Sequence, residues 1–322
     1  MSDFWNTSEA DLLFRAKPKK TGSESKIYPA PNLKYPISLF ESHAHVNMLT
    51  NPALSIARAG FYGVKFIECL VDVLSEEGVG FYDEADSIFR DAHTKLLNFT
   101  GGAPDSVYTR DVKVPDYCIS IGIHPHYASK YSAYAEAQLV DKLSHPKTNA
   151  LGEIGLDYHY DFSPRPAQRD VFERQLQIAA DKGLRVILHI REAFDDAYSI
   201  LRNFDFLGQQ PVLLHCYTSD RADITRWIEE DCYIAFGGAI TFASSENIRD
   251  AFSSVPNNRL LIETDAPFMA PVPFRGVECE SAHMLFTYLK MLEVKNISPD
   301  REHSFNDQLF NNACEFFGVN CG

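Results

Sequence analysis

From Ile37 onward the chain alternates short apolar runs with longer amphipathic stretches. The runs are "ISLF", "GVKFIECLV", "YCISIGI", "ALGEIGL", "RVILHI", "PVLLHC", "CYIAFGG" and "LLIETD", eight in all. They are short and nearly continuous in apolar residues, the pattern of strands buried on both faces. Between several of them lie helix-like segments. One, "PRPAQRDVFERQLQIAADKG", opens with Pro164, repeats apolar residues at three and four, and closes with Gly183, the punctuation of a helix. Buried strands separated by helices imply a parallel sheet, and eight such units predict an α/β fold of the (β/α)8 TIM-barrel type. A doubly wound open sheet is the alternative. It is disfavoured because no GxGxxG fingerprint follows an early strand and because chemically active residues follow several different strands.

Two segments stand outside this rhythm. Residues 1–36 are polar, with "KPKK" from Lys17 to Lys20 and then "TGSES", and read as an N-terminal extension to a barrel domain spanning 37–322. The segment 71–116 is longer than a usual strand-to-helix connection. It is expected to carry a helix over "YDEADSIFRDAHTKLL" and to form an expanded loop before the third strand, serving as a lid or as a surface for a protein partner.

Composition narrows the field. The formal net charge is −14, which argues against broad electrostatic attraction to nucleic acid; a phosphate-bearing substrate would need cations concentrated at the site, and bound metal can supply them. No apolar run is long enough to cross a bilayer, and the N-terminus lacks the features of a secretory signal, so a cytoplasmic protein without membrane contact is expected. Seven cysteines are scattered and form no CxxC. They are expected to be reduced thiols rather than a disulfide framework or zinc ribbon.

The chemistry gathers at strand ends. His43 and His45 in "FESHAHVNM" lie one residue apart, and in a strand such a pair faces one side. By itself the HxH pattern is weak, since two histidines at a strand end are more often solvated. The placement recurs, however: Glu153 follows "NALG", His189 ends "RVILH", His215 ends "PVLLH" and Asp265 ends "RLLIETD". Each alone has a structural explanation, as a satisfied core histidine, a turn cap or a helix opener. Six such groups on five strands of one barrel instead make a nitrogen and oxygen donor set suited to one or two divalent ions. Zinc, manganese and magnesium fit better than calcium. Such a site acidifies water and clamps a phosphodiester. Asp265 can also serve as general base, and Glu263, on the same strand face, can orient a ligand from behind.

At this point the residues resemble a known family. "SHAH", "GIHPHY", "ALGEIGLDYHYD", "AQRDVFERQLQIA", "LHIREAFDDA", "LLHCYTS" and "LLIETDAPFMAPVPFRG" are similar, in order, to the TatD-like metal-dependent deoxyribonucleases, a branch of the amidohydrolase-type barrels, over about residues 37–317. The resemblance implies one ion held by His43, His45, Glu153 and Asp265 and a second held by Glu153, His189 and His215. Glu153 would then bridge the two, and Glu153 and Asp265 are the expected catalytic carboxylates. It implies hydrolysis of DNA, with single strands or strand ends as the expected partner. Departures from the family pattern are Glu41, where aspartate is common; His45-Val46-Asn47, where "HLD" or "HFD" is common; and Cys279-Glu280-Ser281, where "NEP" is usual.

Lesser signals complete the picture. His124 and His126 match the family's GxHPH and are expected to touch substrate, the alternative being a proline-bounded turn. Arg191 shares the inward parity of His189 and is a candidate phosphate clamp, unless it pairs with Asp157 or Glu153. Arg275 in "PFRG" is a similar candidate on a looser loop. Tyr158, Tyr160 and Phe162 can stack bases or simply pack beneath a loop. His93, His145, His159, His283 and His303 read as surface or structural, and Cys216 should point away from His215. Two other functions stay open at this level. One is an amidohydrolase-like enzyme acting on a small ester, amide, lactone or aminoacyl-tRNA; the other is a barrel that binds without catalysis.

Overall fold

The computed structural model describes residues 12, 14–18, 24–75, 78–100, 108–109 and 111–320. Lys19 and Lys20 of the basic tetrad, and residues 101–107 of the expanded segment, lie outside the described residues. Each apolar run forms a strand: β1 (Leu39–Ala44), β2 (Val64–Asp72), β3 (Asp116–Gly122), β4 (Thr148–Asp157), β5 (Val186–Arg191), β6 (Val212–Leu214), β7 (Tyr233–Phe236) and β8 (Leu260–Ile262). They pair in parallel in sequential order. Beyond β8 the ring closes through backbone hydrogen bonds, from Asp265 N–H to the His43 carbonyl at 3.0 Å and from His45 N–H to the Ala266 carbonyl at 2.7 Å. The fold is the expected (β/α)8 barrel. No helix among the described residues is long and apolar enough to cross a membrane.

The interior of the barrel is closed from below. Phe40, Phe66, Ile187, Leu213 and Leu261 point inward from the lower strands. The C-terminal helix (Glu302–Phe317) sends Phe316 and Phe317 up into them, Phe317 stacking on Phe40 at 5.2 Å. The upper half is therefore the end left for chemistry.

Two register shifts decide which side chains reach that upper half. Between Glu41 and Ala44, β1 advances three residues while β2 advances two, from Ile67 to Cys69. Between Leu151 and Ile154, β4 does the same against Val186 and Leu188 of β5. An extra residue in one strand of a pair is a bulge, and it re-aims the side chains that follow. Phe40 and His43, an odd number of residues apart, therefore both serve the interior, as do Ala150 and Glu153.

The segment 71–116 holds a regular outer helix. That helix, Phe81–Thr100, covers the expected stretch and runs past it at both ends. It buries Phe81, Ala85, Phe89, Ala92 and Leu96 at helical spacing, with Phe89 stacked 4.2 Å from Tyr117. The N-terminal extension also packs. Phe14–Arg15 pairs with Ile27–Tyr28, and Phe14 is buried among Tyr62, Phe274 and Phe286 at 5.0–5.6 Å. The isolated aromatic in "LLFRA" gave no periodicity from which to see this. Five described cysteines are free thiols, whereas Cys314, expected to be reduced, is disulfide-bonded.

One inward group is out of keeping with the apolar floor. Glu68, on β2 between Phe66 and Leu70, is fully buried and accepts a hydrogen bond from the Cys118 thiol at 2.6 Å. Burial pushes its carboxyl up to about 7, against the opposing hydrogen bonds. The folded chain thus keeps a proton that the unfolded chain loses near pH 4.5, so this group's contribution to stability falls as pH rises from there to about 7. Glu68→Gln removes the titration. Urea denaturation should show the variant gaining on the wild type across that window by on the order of 3 kcal/mol, and a pH-independent difference would contradict the assignment.

Candidate metal centre

Glu153 lies at the middle of the upper barrel, 7 % exposed, with both carboxylate oxygens engaged. Its Oε2 faces the first-strand histidines, at 3.6 Å from His43 Nε2 and 3.7 Å from His45 Nε2. Asp265 Oδ1 lies 3.7 Å and 3.6 Å from the same two nitrogens. These spacings are close to the edge of about 3.4 Å of a tetrahedron whose corners lie about 2.1 Å from its centre, the bond length of zinc to nitrogen and oxygen. Glu153 Oε1 turns the other way, 2.7 Å from His189 Nδ1, 2.6 Å from His215 Nε2 and 3.6 Å from His124 Nε2. The structure brings together all six strand-end residues picked out in the sequence, with His124 beside them.

The donor set fits a cation. His43 is fully buried, yet neither of its ring nitrogens has a hydrogen-bond partner, and His215 Nδ1 is likewise unpartnered. Burial, aided by the adjacent His215 ring, lowers His43 to about 4, so it is neutral near pH 7 and presents a lone pair. Leaving such atoms unmet costs on the order of 1–3 kcal/mol each, which a bound ion would relieve. Two groups of three donors also come within 4.8 Å of one another: His43, Glu153 and His215, and His43, His45 and Asp265. A third group of the same kind is His124, His126 and His189.

Charge in the site is shared unevenly. Burial would raise Glu153, but the His215 ring beside it and the His189 hydrogen bond hold it well below the usual carboxylate range. Burial opposes charging of His189 too, yet its hydrogen bonds to Asp157 and Glu153 win and lift it to about 9. Asp265 follows the same logic: burial is outweighed by the neighbouring His45, and its carboxyl stays below the usual range.

Two carboxylates that contact the cluster were not picked out as site residues in the sequence. Asp157 Oδ2 lies 2.8 Å from His126 Nε2 and 3.1 Å from His189 Nε2, and its Oδ1 accepts the N–H groups of His159 and Tyr160. It shares parity with Glu153 and Gly155 in "GEIGLD", which was the available signal. Asp72 ends β2 and accepts the His124 N–H at 2.7 Å; the strand-end rule that found the other six residues applies to it equally.

The remaining candidates are placed more loosely. Glu263 Oε1 accepts the Cys216 N–H at 2.6 Å but stays 3.9 Å from His215 Nδ1, too far for a hydrogen bond. Arg191 lies 4.7 Å over the Tyr160 ring, and Asp157 is taken by histidines. Arg275 packs 4.1 Å over Phe242, exposed and away from the cluster. The departures in sequence acquire roles. Glu41 reaches Thr264, accepting from its N–H at 2.8 Å and its hydroxyl at 2.6 Å, and so ties β1 to the turn that carries Asp265. Glu280 accepts two hydrogen bonds from the buried Arg58 Nη1, at 2.7 Å and 2.8 Å.

A family model for TatD related DNase matches residues 40–318. The chain belongs to the TatD family. Among TatD-type relatives, it is 33 % identical over 203 residues to the metal-dependent hydrolase YabD of Bacillus subtilis, covering 62 % of this chain and 77 % of YabD. It is 37 % identical over 163 residues to the 3'-5' ssDNA/RNA exonuclease TatD of Erwinia tasmaniensis, covering 50 % of this chain and 62 % of that protein. The crystal structure of YJJV, a TatD homologue from Escherichia coli, superposes with a TM-score of 0.73 at 23 % identity, over 88 % of this chain and 98 % of that one. The TatD family is one of metal-dependent hydrolases, and the cluster around Glu153 is where this member's chemistry is to be sought.

Two substitutions probe how the frame holds the cluster. Gly155 has φ +141°, and a Cβ there would lie 2.1 Å from the His189 carbonyl oxygen. Gly155→Ala therefore forces β4 and β5 apart, costing about 1–3 kcal/mol for the backbone alone; a thermal melt should show a clear loss, and an unchanged melting temperature would contradict the packing. Asp157→Asn removes the charge that orients His189 and His126. It should weaken retention of divalent metal about 10- to 100-fold in a chelator competition while leaving the melting temperature of the chelated protein near that of the wild type.

Proposed function

We propose that this chain is a deoxyribonuclease that cleaves phosphodiester bonds with two divalent ions of zinc, manganese or magnesium, acting on single-stranded DNA or strand ends. The observation that carries this reading is the two-sided engagement of Glu153, with His43 and His45 at Oε2, Asp265 against the same two histidine nitrogens, and His189 and His215 at Oε1. His43, His45, Glu153 and Asp265 would hold one ion, and Glu153, His189 and His215 the other. Divalent ions held there supply Lewis acidity, which acidifies water and offsets the negative charge of a phosphodiester.

The chain's own groups do the rest. Asp265 is ionised near neutral pH and accepts the proton given up by water. His124 and His126 line the wall beside the second position, where they contact the phosphate or its sugar, and Asp157 fixes the ring of His126. Arg191, over Tyr160, is placed for a neighbouring phosphate rather than the scissile one. Arg275 is a candidate contact for the strand farther out. The name of the Erwinia relative, at 37 % identity, supports a nucleic-acid substrate.

The test is hydrolysis of a labelled single strand by chelated protein resupplied with zinc, manganese or magnesium, with elemental analysis of bound metal. Activity should return with metal, and a His43→Ala, His45→Ala double variant should lose about 100-fold or more in kcat. Hydrolysis of carboxylic esters or lactones without any cleavage of DNA would instead select the amidohydrolase-like function.

A further inference from the structure

Exposed aromatic side chains are few among the described residues, and several stand at the mouth of the barrel. Phe162 is 65 % exposed, Tyr160 48 % and Phe268 47 %. Tyr160 and Phe162 stack on each other, centroids 5.4 Å apart and planes within 5°. They form a ledge beyond β4, joined to the cluster through rings: Phe162 lies 4.8 Å from His126, and His126 lies 6.0 Å from His189. Phe268 follows β8 and lies 6.1 Å from the His45 ring. In an eight-stranded barrel of sequential order, β4 and β8 face each other across the axis. The exposed rings thus bracket Glu153 from opposite sides.

The ledge is held in place. Asp157 Oδ1 accepts the Tyr160 N–H at 3.0 Å, and Ser163 Oγ donates to the His126 carbonyl at 2.8 Å while accepting from Ser129 N–H at 3.0 Å. A surface ordered before binding spares the ligand the cost of ordering it. Arg191 stands at the edge of the next groove along the rim, of about 600 Å³, which Glu192, Asp195, Asp196 and Asp223 also line; those carboxylates repel a phosphate backbone that would continue past Arg191 into it. The open path for a polyanion runs from Phe268 to Phe162.

We propose that Phe268 on one side and the Tyr160–Phe162 ledge on the other each stack an unpaired nucleobase flanking the scissile phosphate, so that the site selects single strands by their exposed base faces. This rests on the nuclease reading above and adds its substrate contacts. Bases in a duplex are stacked on their neighbours and paired, and cannot turn onto two separated rings; stacking on aromatics is tolerant of sequence.

The experiment compares a labelled single strand with one carrying abasic tetrahydrofuran residues at its terminal positions. Wild type should prefer the base-bearing strand by at least about 10-fold in KM and in fluorescence-anisotropy Kd measured with calcium. A Tyr160→Ala, Phe162→Ala, Phe268→Ala variant should lose that preference, and Phe162→Trp should keep it. Equal binding of the two strands by wild type, or a preference that survives the triple substitution, overturns the proposal. Base-dependent binding without metal-dependent cleavage would leave the stacking subsites standing and remove the nuclease reading instead.

Discussion

A single buried carboxylate governs this molecule. Glu153 lies near the barrel axis, 7 % exposed, and an unmet charge there would cost several kcal/mol. Everything around it answers that cost. His43 and His45 come from the first strand, His189 and His215 from the fifth and sixth, and His124 from the third, all within 3.7 Å of its oxygens. A carboxylate ringed by imidazoles cannot be satisfied by protons on all of them, because the rings repel one another when charged; His43 and His124 are held neutral by burial while His189 is lifted. The neutral, unpartnered nitrogens that result are what a divalent cation takes.

Bringing Glu153 there required breaking the rule that makes a strand a strand. Strict alternation from Phe40 would set His43 on the outer face with Leu39, and from Ala150 would do the same to Glu153. The bulges in β1 and β4 shift the parity above the apolar floor, so the lower barrel is packed and the upper barrel is chemical. The cost is local. Gly152 and Gly155 flank the shifted segment, and at either a Cβ would collide with β5, 2.6 Å from Ile187 Cβ and 2.1 Å from the His189 carbonyl oxygen. The motif "GEIG" is thus a backbone requirement written around one carboxylate.

That division explains what the sequence discloses. The strands were legible because burial on both faces leaves continuous apolar runs, and the site was legible because polar groups at the ends of such runs need partners. Bulges carry no comparable mark, so the convergence of the six residues was inferred from their number and kind and from the family resemblance. Asp157 was hidden because its neighbours "YHYD" read as a polar loop, though its parity with Glu153 was there to be seen. The packing of Phe14 depends on contacts with residues far along the chain, Tyr62, Phe274 and Phe286, and no local pattern foretells it.

The net charge of −14 sits oddly with a polyanionic substrate until distance is considered. Screening confines each surface charge to about 8 Å at physiological ionic strength, so carboxylates on the outer helices contribute little at the mouth. What counts is the local set: histidines of which His43 and His124 are neutral and His189 is charged, carboxylates whose charge bound ions would offset, and a rim that offers rings rather than lysines. A protein that follows a long stretch of backbone needs a stripe of cations to displace counterions. One that takes a single phosphate at a metal pair and grips the adjoining bases by their faces does not. On the proposed function, acidity over the rest of the surface would work in favour of selectivity, since it would discourage duplex DNA from lying along the barrel while leaving the mouth open to a strand that enters end-on.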